Sequence, residues 1–219
     1  MASKRTYGDP CGIARALDLV GERWALLVVR ELVLGPKRFT DLRAGLPNLG
    51  PDVLSQRLRD LEQAGIVQRR TLPPPAGSRV YELTEWGREL EPVLLALGRW
   101  GSRAPFPPGD EPLGVDAFIL ALETVFDPSA AEGLTATYEL RLGEQSFTAR
   151  VGEGRLEVAR ATPERPDAVI SADPAALTAV LWHGRGLAEA QRAGEITIAP
   201  NRFAAGRFLK LFPAPMPAR

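Results

Sequence analysis

The sequence predicts two domains: a mainly-α winged helix-turn-helix over residues 1–104, and an α+β domain with a mainly antiparallel sheet over 115–219. A Pro-rich linker at 105–114 joins them. Three observations carry this reading. Between Ala16 and Arg70 short helical patterns alternate with tight breaks, and from Leu72 to Leu83 the pattern becomes two short strands around a Pro/Gly tip. Pro105, Pro107, Pro108, Gly109 and Pro112 make a stiff spacer. Charge divides at the same place: residues 1–108 carry 16 Lys/Arg and 12 Asp/Glu, the remainder 11 and 15, so a formal net charge of zero hides a basic half and an acidic half.

The elements follow from local signals. Cys11 to Val20 reads as a short helix, with Ile13, Leu17 and Val20 spaced by four and three, and Gly21 ends it. Arg23 to Leu34 is the most apolar helix, broken by Gly35–Pro36. Phe39 to Arg43 is a short helix and Ala44 to Gly50 a turn. In the next helix, Pro51 to Ala64, Pro51 suits the first helical position, Asp52 sits in the positive end of the dipole, and Leu54, Leu58 and Leu61 form one stripe. Gly65 caps it, and Ile66–Arg70 and Arg79–Leu83 are strands. The Pro73–Gly77 tip between them cannot be regular sheet. Thr84 can cap a helix over Glu85–Trp100, which Pro92 kinks or splits in two. Its apolar face of Leu90, Leu94 and Leu97 exceeds what a small domain needs.

Past the linker, Asp116 to Phe126 is a helix with Phe118, Leu122 and Phe126 four apart. Leu134–Leu142, Gln145–Val151 and Arg155–Ala159 are strands, with Gly143 and Gly152–Glu153–Gly154 as turns. Asp167–Ser171 is a fourth strand. Asp173–Pro174 opens a helix to Trp182, Ala188–Ala193 is a further helical candidate, Glu195–Ile198 is a fifth strand, and Ala204–Phe212 closes as a helix.

Several function classes are excluded. With Cys11 as the sole cysteine, no disulfide forms within the chain, and with only His183 added a structural zinc cage lacks ligands. No apolar run reaches the roughly 18 residues of a membrane span, and the N-terminus lacks the apolar stretch of a secretory signal, so a cytoplasmic protein is expected. No nucleophile elbow, phosphate-binding loop or dinucleotide fingerprint is present, and no acid at helical or strand spacing orients His183. The chain therefore reads as a non-enzyme that needs no cofactor or metal.

A helix entering the major groove presents polar side chains opposite its core stripe. On Pro51–Ala64 the base-edge candidates are Ser55, Gln56 and Arg59, since glutamine pairs bidentately with adenine and arginine with guanine. Asp52 reads as a cap or as an orienter of an arginine. Phosphate positioning falls to Lys37, Arg38, Arg57, Arg69 and Arg70, with Arg79 on the wing. Singly, each of these is an ordinary solvated charge; their concentration in one fold segment is the signal. A winged helix can also bind protein, so fold alone does not settle function.

Residues 11–101 resemble the HxlR-type regulators, a group related to the MarR-like winged-helix proteins. The matching motifs are Cys11, Gly21–Glu22–Arg23–Trp24, Gly35–Pro36–Lys37–Arg38–Phe39 with Leu42, and Val53–Leu54–Ser55–Gln56–Arg57–Leu58. They continue through Leu61–Glu62–Gln63–Ala64–Gly65–Ile66–Val67 and Tyr81–Glu82–Leu83–Thr84–Glu85–Trp86–Gly87. The resemblance implies a homodimeric transcription regulator, a repressor, bound to an inverted-repeat operator in double-stranded DNA. It also implies a dimer seam built from Ile13, Leu17 and Trp24 with Leu90, Leu94 and Leu97. The alternative is a lipid-carrier or protein-interaction adaptor whose winged helix no longer binds DNA. Some relatives sense oxidants or electrophiles through a cysteine at the position of Cys11, which makes Cys11 a candidate sensor; its other reading is a small hydrophobe packed at the dimer seam. As a sensor, its only protein disulfide would be intersubunit.

From Val115 to Met216 the chain resembles sterol-carrier-protein-type domains. The match lies in Asp167–Ala168–Val169–Ile170–Ser171–Ala172–Asp173–Pro174 with Leu177, then Gly194–Glu195–Ile196–Thr197–Ile198. The resemblance implies a cavity for an apolar small molecule, with Phe118, Leu122, Phe126, Leu177, Leu181, Trp182, Phe203, Phe208 and Phe212 as candidate lining. The competing reading of the same residues is a filled core.

Overall fold

Breaks in the sequence set the helix ends of the N-terminal unit. The computed structural model describes residues 6–74, 77–104 and 113–216. Residues 75–76 of the expected tip and 105–112 of the expected linker lie outside the described residues. The elements are α1 (Gly12–Val20), α2 (Ala25–Val33), α3 (Phe39–Gly45), α4 (Pro51–Gln63), β1 (Val67–Thr71), β2 (Arg79–Leu83), α5 (Glu85–Arg88) and α6 (Glu91–Gly101). Pro51 stands in the first turn of α4, where an N–H would have no helical partner. Gly65 follows that helix at φ 71, a left-handed turn residue. Trp24 is the less expected case. It precedes α2 at φ 78, a conformation costing a non-glycine residue about 1–3 kcal/mol, and the Arg23 guanidinium lies over its ring at 5.4 Å.

Val28, Val29 and Leu32 of α2 pack with Leu42 of α3 and with Leu54, Leu58 and Leu61 of α4, and Ile66, Val67 and Leu83 close this core from the wing side. β1 and β2 pair antiparallel from Val67↔Leu83 to Thr71↔Arg79. The stretch expected at 85–100 is split: α5 ends before Pro92, which then occupies the first turn of α6. Thr84 joins wing to helix, accepting from the Gly87 N–H at 3.0 Å and donating to the Gly65 carbonyl at 2.7 Å.

Two units, Met1–Leu94 and Leu95–Arg219, make up the chain, so the division falls inside α6, ahead of the expected linker. The second unit contains α7 (Val115–Val125), β3 (Ala136–Leu142), β4 (Gln145–Gly152), β5 (Arg155–Ala159), β6 (Ala168–Ala172), α8 (Pro174–Trp182), α9 (Leu187–Arg192), β7 (Ile196–Ala199) and α10 (Arg202–Leu209). The sheet runs β5-β4-β3-β6-β7. Its pairings are antiparallel except β3 with β6, so the sheet is mixed. Tyr138, Leu140 and Leu142 share one face with Phe147, Ala149 and Ile170 and are buried there; the opposite face carries Arg141, Ser146, Arg150 and Thr197. α10 opens two residues earlier than expected because the Asn201 side chain accepts from the Phe203 and Ala204 N–H groups.

A Cβ at Gly87 would lie 2.1 Å from the Ile66 carbonyl oxygen, a backbone atom held in the Thr84 corner. Gly87→Ala should therefore destabilise the N-terminal unit by about 1–3 kcal/mol. The expected result is a lower denaturant midpoint with unchanged slope; an unchanged midpoint would mean that the corner yields freely.

Candidate nucleic-acid interface

The stripe Leu54, Leu58 and Leu61 is buried and turns the rest of α4 outward. Asp52, Val53, Gln56, Arg59 and Gln63 are exposed, whereas Ser55, one of the expected base-reading residues, is half-buried beside the core. Gln56 and Arg59 are tied together: an Arg59 terminal nitrogen donates to Gln56 Oε1 at 2.8 Å, and Gln56 Nε2 donates to Asp60 Oδ1 at 2.8 Å. Sequence reasoning missed Val53, which is 44% exposed. Its signal was an apolar residue at the helix start lying off the leucine stripe.

The expected phosphate contacts fall into three groups. Lys37 is held by a buried acid, its Nζ 2.6 Å from Glu31 Oε2, with the Glu31 side chain only 2% exposed. Arg57 is likewise turned inward, pairing with Asp60 at 3.2 Å and Glu22 at 3.5 Å. In the chain without DNA each of these two expected phosphate residues faces acids: Lys37 the buried Glu31, and Arg57 both Asp60 one turn along its own helix and Glu22 from the segment between α1 and α2. Arg69 and Arg70 form the second group. Arg69 pairs with Glu62 at 2.7 Å and lies over the Tyr81 ring, and Arg70 pairs with Glu82 at 2.9 Å, yet about half of each arginine side chain stays exposed. The hydrogen bond to Glu62 raises the Arg69 pKa above its ordinary value, so it remains a cation. Arg38 and Arg79 form the third group, exposed and without an ion pair among the described residues. Arg43, on the exposed side of α3, shares that state and was not anticipated; its signal was a basic residue on the short helix ahead of α4.

On α1, Ile13 is 74% exposed and Leu17 43% exposed, while Trp24 is half-buried. Leu90 and Leu94, expected at a dimer seam, pack in part against the core of their own unit, and Leu97 is exposed. Cys11 is an exposed free thiol at the N-cap of α1, its N–H donating to Asp9 at 2.8 Å.

In the second unit the expected cavity residues mostly pack on one another. Ring pairs join Phe118 to Trp182, Phe126 to Phe212, Tyr138 to Phe208 and Phe208 to Phe212, with centroids 4.5–6.2 Å apart. Leu122 and Leu177 are buried with them, and Leu181 is half-buried. Phe203 is a correction: at 76% exposed it lines nothing inside, because it lies in the first turn of α10 on the side away from Ala205 and Phe208. Two interior donors have no partner among the described residues, the Tyr138 hydroxyl and the Trp182 indole N–H. Burial raises the Tyr138 pKa, keeping the phenol protonated. No described helix is long and apolar enough to cross a membrane.

A helix with a polar outer face, held on a three-helix core beside a two-stranded wing, defines a winged helix-turn-helix nucleic-acid module. The HxlR-like helix-turn-helix family model matches residues 19–105. The uncharacterized HTH-type transcriptional regulator YvaP of Bacillus subtilis is 39% identical over 88 residues, covering 40% of this chain and 82% of YvaP. The HTH-type transcriptional regulator YodB of the same bacterium is 37% identical over 95 residues, covering 43% of this chain and 84% of YodB. The solved reduced form of YodB matches at 35% identity, with 42% of this chain and 92% of that one covered and a TM-score of 0.39. The chain belongs to the HxlR-like helix-turn-helix family of transcriptional regulators through its N-terminal residues.

These placements separate three mutant classes. Gln56→Ala and Arg59→Ala should cost about 1–3 kcal/mol on the preferred duplex and little on random duplex. Arg79→Ala should weaken both alike and reduce the log–log salt slope by about 1. Lys37→Ala should lower the unfolding midpoint. Anisotropy titrations with a melting curve sort them; a Lys37 variant with normal stability and a flattened salt slope would restore Lys37 to the phosphates.

Proposed function

We propose that this protein is a homodimeric transcription repressor that reads an inverted-repeat operator with two copies of α4. The observation that carries the reading is the outer face of α4, where Gln56 and Arg59 stand exposed and joined to each other; Arg38, Arg43 and Arg79 are also exposed, without an ion pair among the described residues. Membership of a family of transcriptional regulators supports it. Dimerisation is supported by Ile13 and Leu17, exposed apolar residues on one helix that a second copy would cover. The base readers are Gln56 and Arg59, with Ser55 at the edge of the contact. Arg38, Arg69, Arg70 and Arg79 position the phosphates. Lys37 and Arg57 join them only if DNA displaces their carboxylates.

A second reading concerns the C-terminal unit and rests on the Tyr138 hydroxyl and Trp182 N–H, two interior donors with no hydrogen-bond partner among the described residues. A buried unsatisfied donor costs about 1–3 kcal/mol. A small apolar molecule bearing an acceptor oxygen would satisfy such groups, as the resemblance to sterol-carrier-protein-type domains implies, and its effect on DNA affinity would be reciprocal. The adaptor reading keeps the C-terminal unit and discards DNA.

Titration of the protein against fragments of its own upstream region, across a range of salt, decides between them. A repressor binds one fragment above random duplex and loses affinity steeply with salt. No preference at any salt would sink the DNA reading and leave the adaptor. Native mass spectrometry of the same preparation should show a dimer carrying a small molecule that raises the melting temperature; a dimer without added mass would remove the ligand from the reading.

A further inference from the structure

An acidic residue on a DNA-facing surface repels phosphate, so its presence needs a reason. Asp60 lies on α4 one turn beyond Gln56 and is half-buried. Its two oxygens are engaged in different directions: Oδ1 accepts from Gln56 Nε2 at 2.8 Å and Oδ2 pairs with Arg57 at 3.2 Å. Gln56 Oε1 in turn accepts from Arg59 at 2.8 Å. The same Arg57 nitrogen, Nη1, also lies 3.5 Å from Glu22 Oε2, in the segment between α1 and α2. The result is a linked series in which Arg59 donates to Gln56 and Gln56 donates to Asp60, while Arg57 pairs with the other oxygen of Asp60; its outer end is on the exposed face.

The direction matters because an amide side chain has two faces of opposite character. Adenine presents an acceptor at N7 and a donor at N6, so a glutamine must offer its nitrogen to one and its oxygen to the other. A carboxylate accepts only, so Asp60 holds the Nε2 side of Gln56. That leaves Oε1 on the Arg59 side, where it restrains a guanidinium with further N–H groups still free to meet a base.

We propose that Asp60 is a positioning residue for DNA sequence recognition: it fixes the amide orientation of Gln56 and, through it, Arg59, raising operator selectivity while lowering affinity for DNA in general. This rests on the DNA-binding reading above. The hydrogen bond and the charge act in opposite directions. The hydrogen bond acts on the preferred sequence, whereas the charge repels every duplex equally.

Two substitutions separate them. Asp60→Ala removes both, so random duplex should bind more tightly and the operator-to-random ratio should fall about tenfold, part of what a bidentate base contact contributes. Asp60→Asn keeps an oxygen that accepts from Gln56 Nε2 but removes the charge. It should bind random duplex as tightly as Asp60→Ala while keeping the wild-type ratio. In a Gln56→Ala background, Asp60→Ala should no longer lower the ratio, since its effect passes through Gln56. The readout is anisotropy of the full-length chain on its selected upstream fragment and on a random duplex of equal length, with circular dichroism confirming the fold. An unchanged ratio in Asp60→Ala, a loss in Asp60→Asn as large as in Asp60→Ala, or a full effect without Gln56 would each overturn the proposal. A wild type that prefers no fragment would overturn the DNA reading itself and this proposal with it.

Discussion

The N-terminal unit depends on one buried carboxylate. Glu31, on α2, accepts from Lys37 at 2.6 Å and from Arg30 at 2.9 Å. Lys37 also pairs through its backbone with Tyr81 in both directions, at 2.9 and 2.8 Å, which attaches the segment before α3 to the outer edge of the wing. Gly45, at the end of α3, runs so close that a Cβ there would sit 2.2 Å from Glu31 Oε2. One side chain thus ties together α2, the α2–α3 segment, the end of α3 and β2. Removing a partner from such a pair leaves a charge in a poorly solvated place and costs several kcal/mol, about 3–5 for a fully buried pair and less here, where Arg30 retains solvent.

The same logic sorts the basic residues by what DNA can take from them. Arg69 pairs with Glu62 near the surface, and exposed pairs contribute about 0–1 kcal/mol. Arg70 pairs instead with Glu82, which is only 8% exposed and also accepts from Gln68, so taking Arg70 away would leave a largely buried carboxylate short of a partner. Lys37 is held more tightly still, since leaving Glu31 would strand a carboxylate whose side chain is only 2% exposed. The N-terminal half has a net charge of only +4, and several of its cations already face acids. The electrostatic attraction this half offers a polyanion is therefore modest.

What the sequence shows and what it hides divides along local and non-local lines. Helix ends were legible because their signals are adjacent: Pro51 and Gly65 bracket α4, and Pro92 marks the break between α5 and α6. The turns at Gly143 and Glu153–Gly154 delimited β3, β4 and β5 for the same reason. The Lys37–Tyr81 pairing was hidden, since it joins residues far apart in the chain. So were Glu31 facing Lys37 and Glu22 facing Arg57 from other segments, whereas Asp60, three residues beyond Arg57 on the same helix, is a partner that spacing allows. The parallel pairing of β3 with β6 is a further instance, because two hairpin strands and a long loop intervene. Phe203 was misplaced by treating an aromatic next to a helix as part of its inner stripe.

In the second unit the aromatic residues that read equally as core or as cavity lining form a connected series, Tyr138 to Phe208 to Phe212 to Phe126. Ring pairs at these separations contribute about 0.5–1.5 kcal/mol beyond burial, which favours a packed centre along this series. The polar atoms point the other way. The outer face of the sheet satisfies its buried acid, Glu139 accepting from Arg141 at 2.8 Å and from Ser146 at 2.8 Å, and the Arg141 bond holds its carboxyl below the usual range. Among the described residues, the Tyr138 hydroxyl and the Trp182 N–H, both donors, have no hydrogen-bond partner, the one beside Phe208 and the other beside Phe118. Packed rings and unsatisfied donors thus occur side by side in this unit, at Tyr138 against Phe208 and at Trp182 against Phe118.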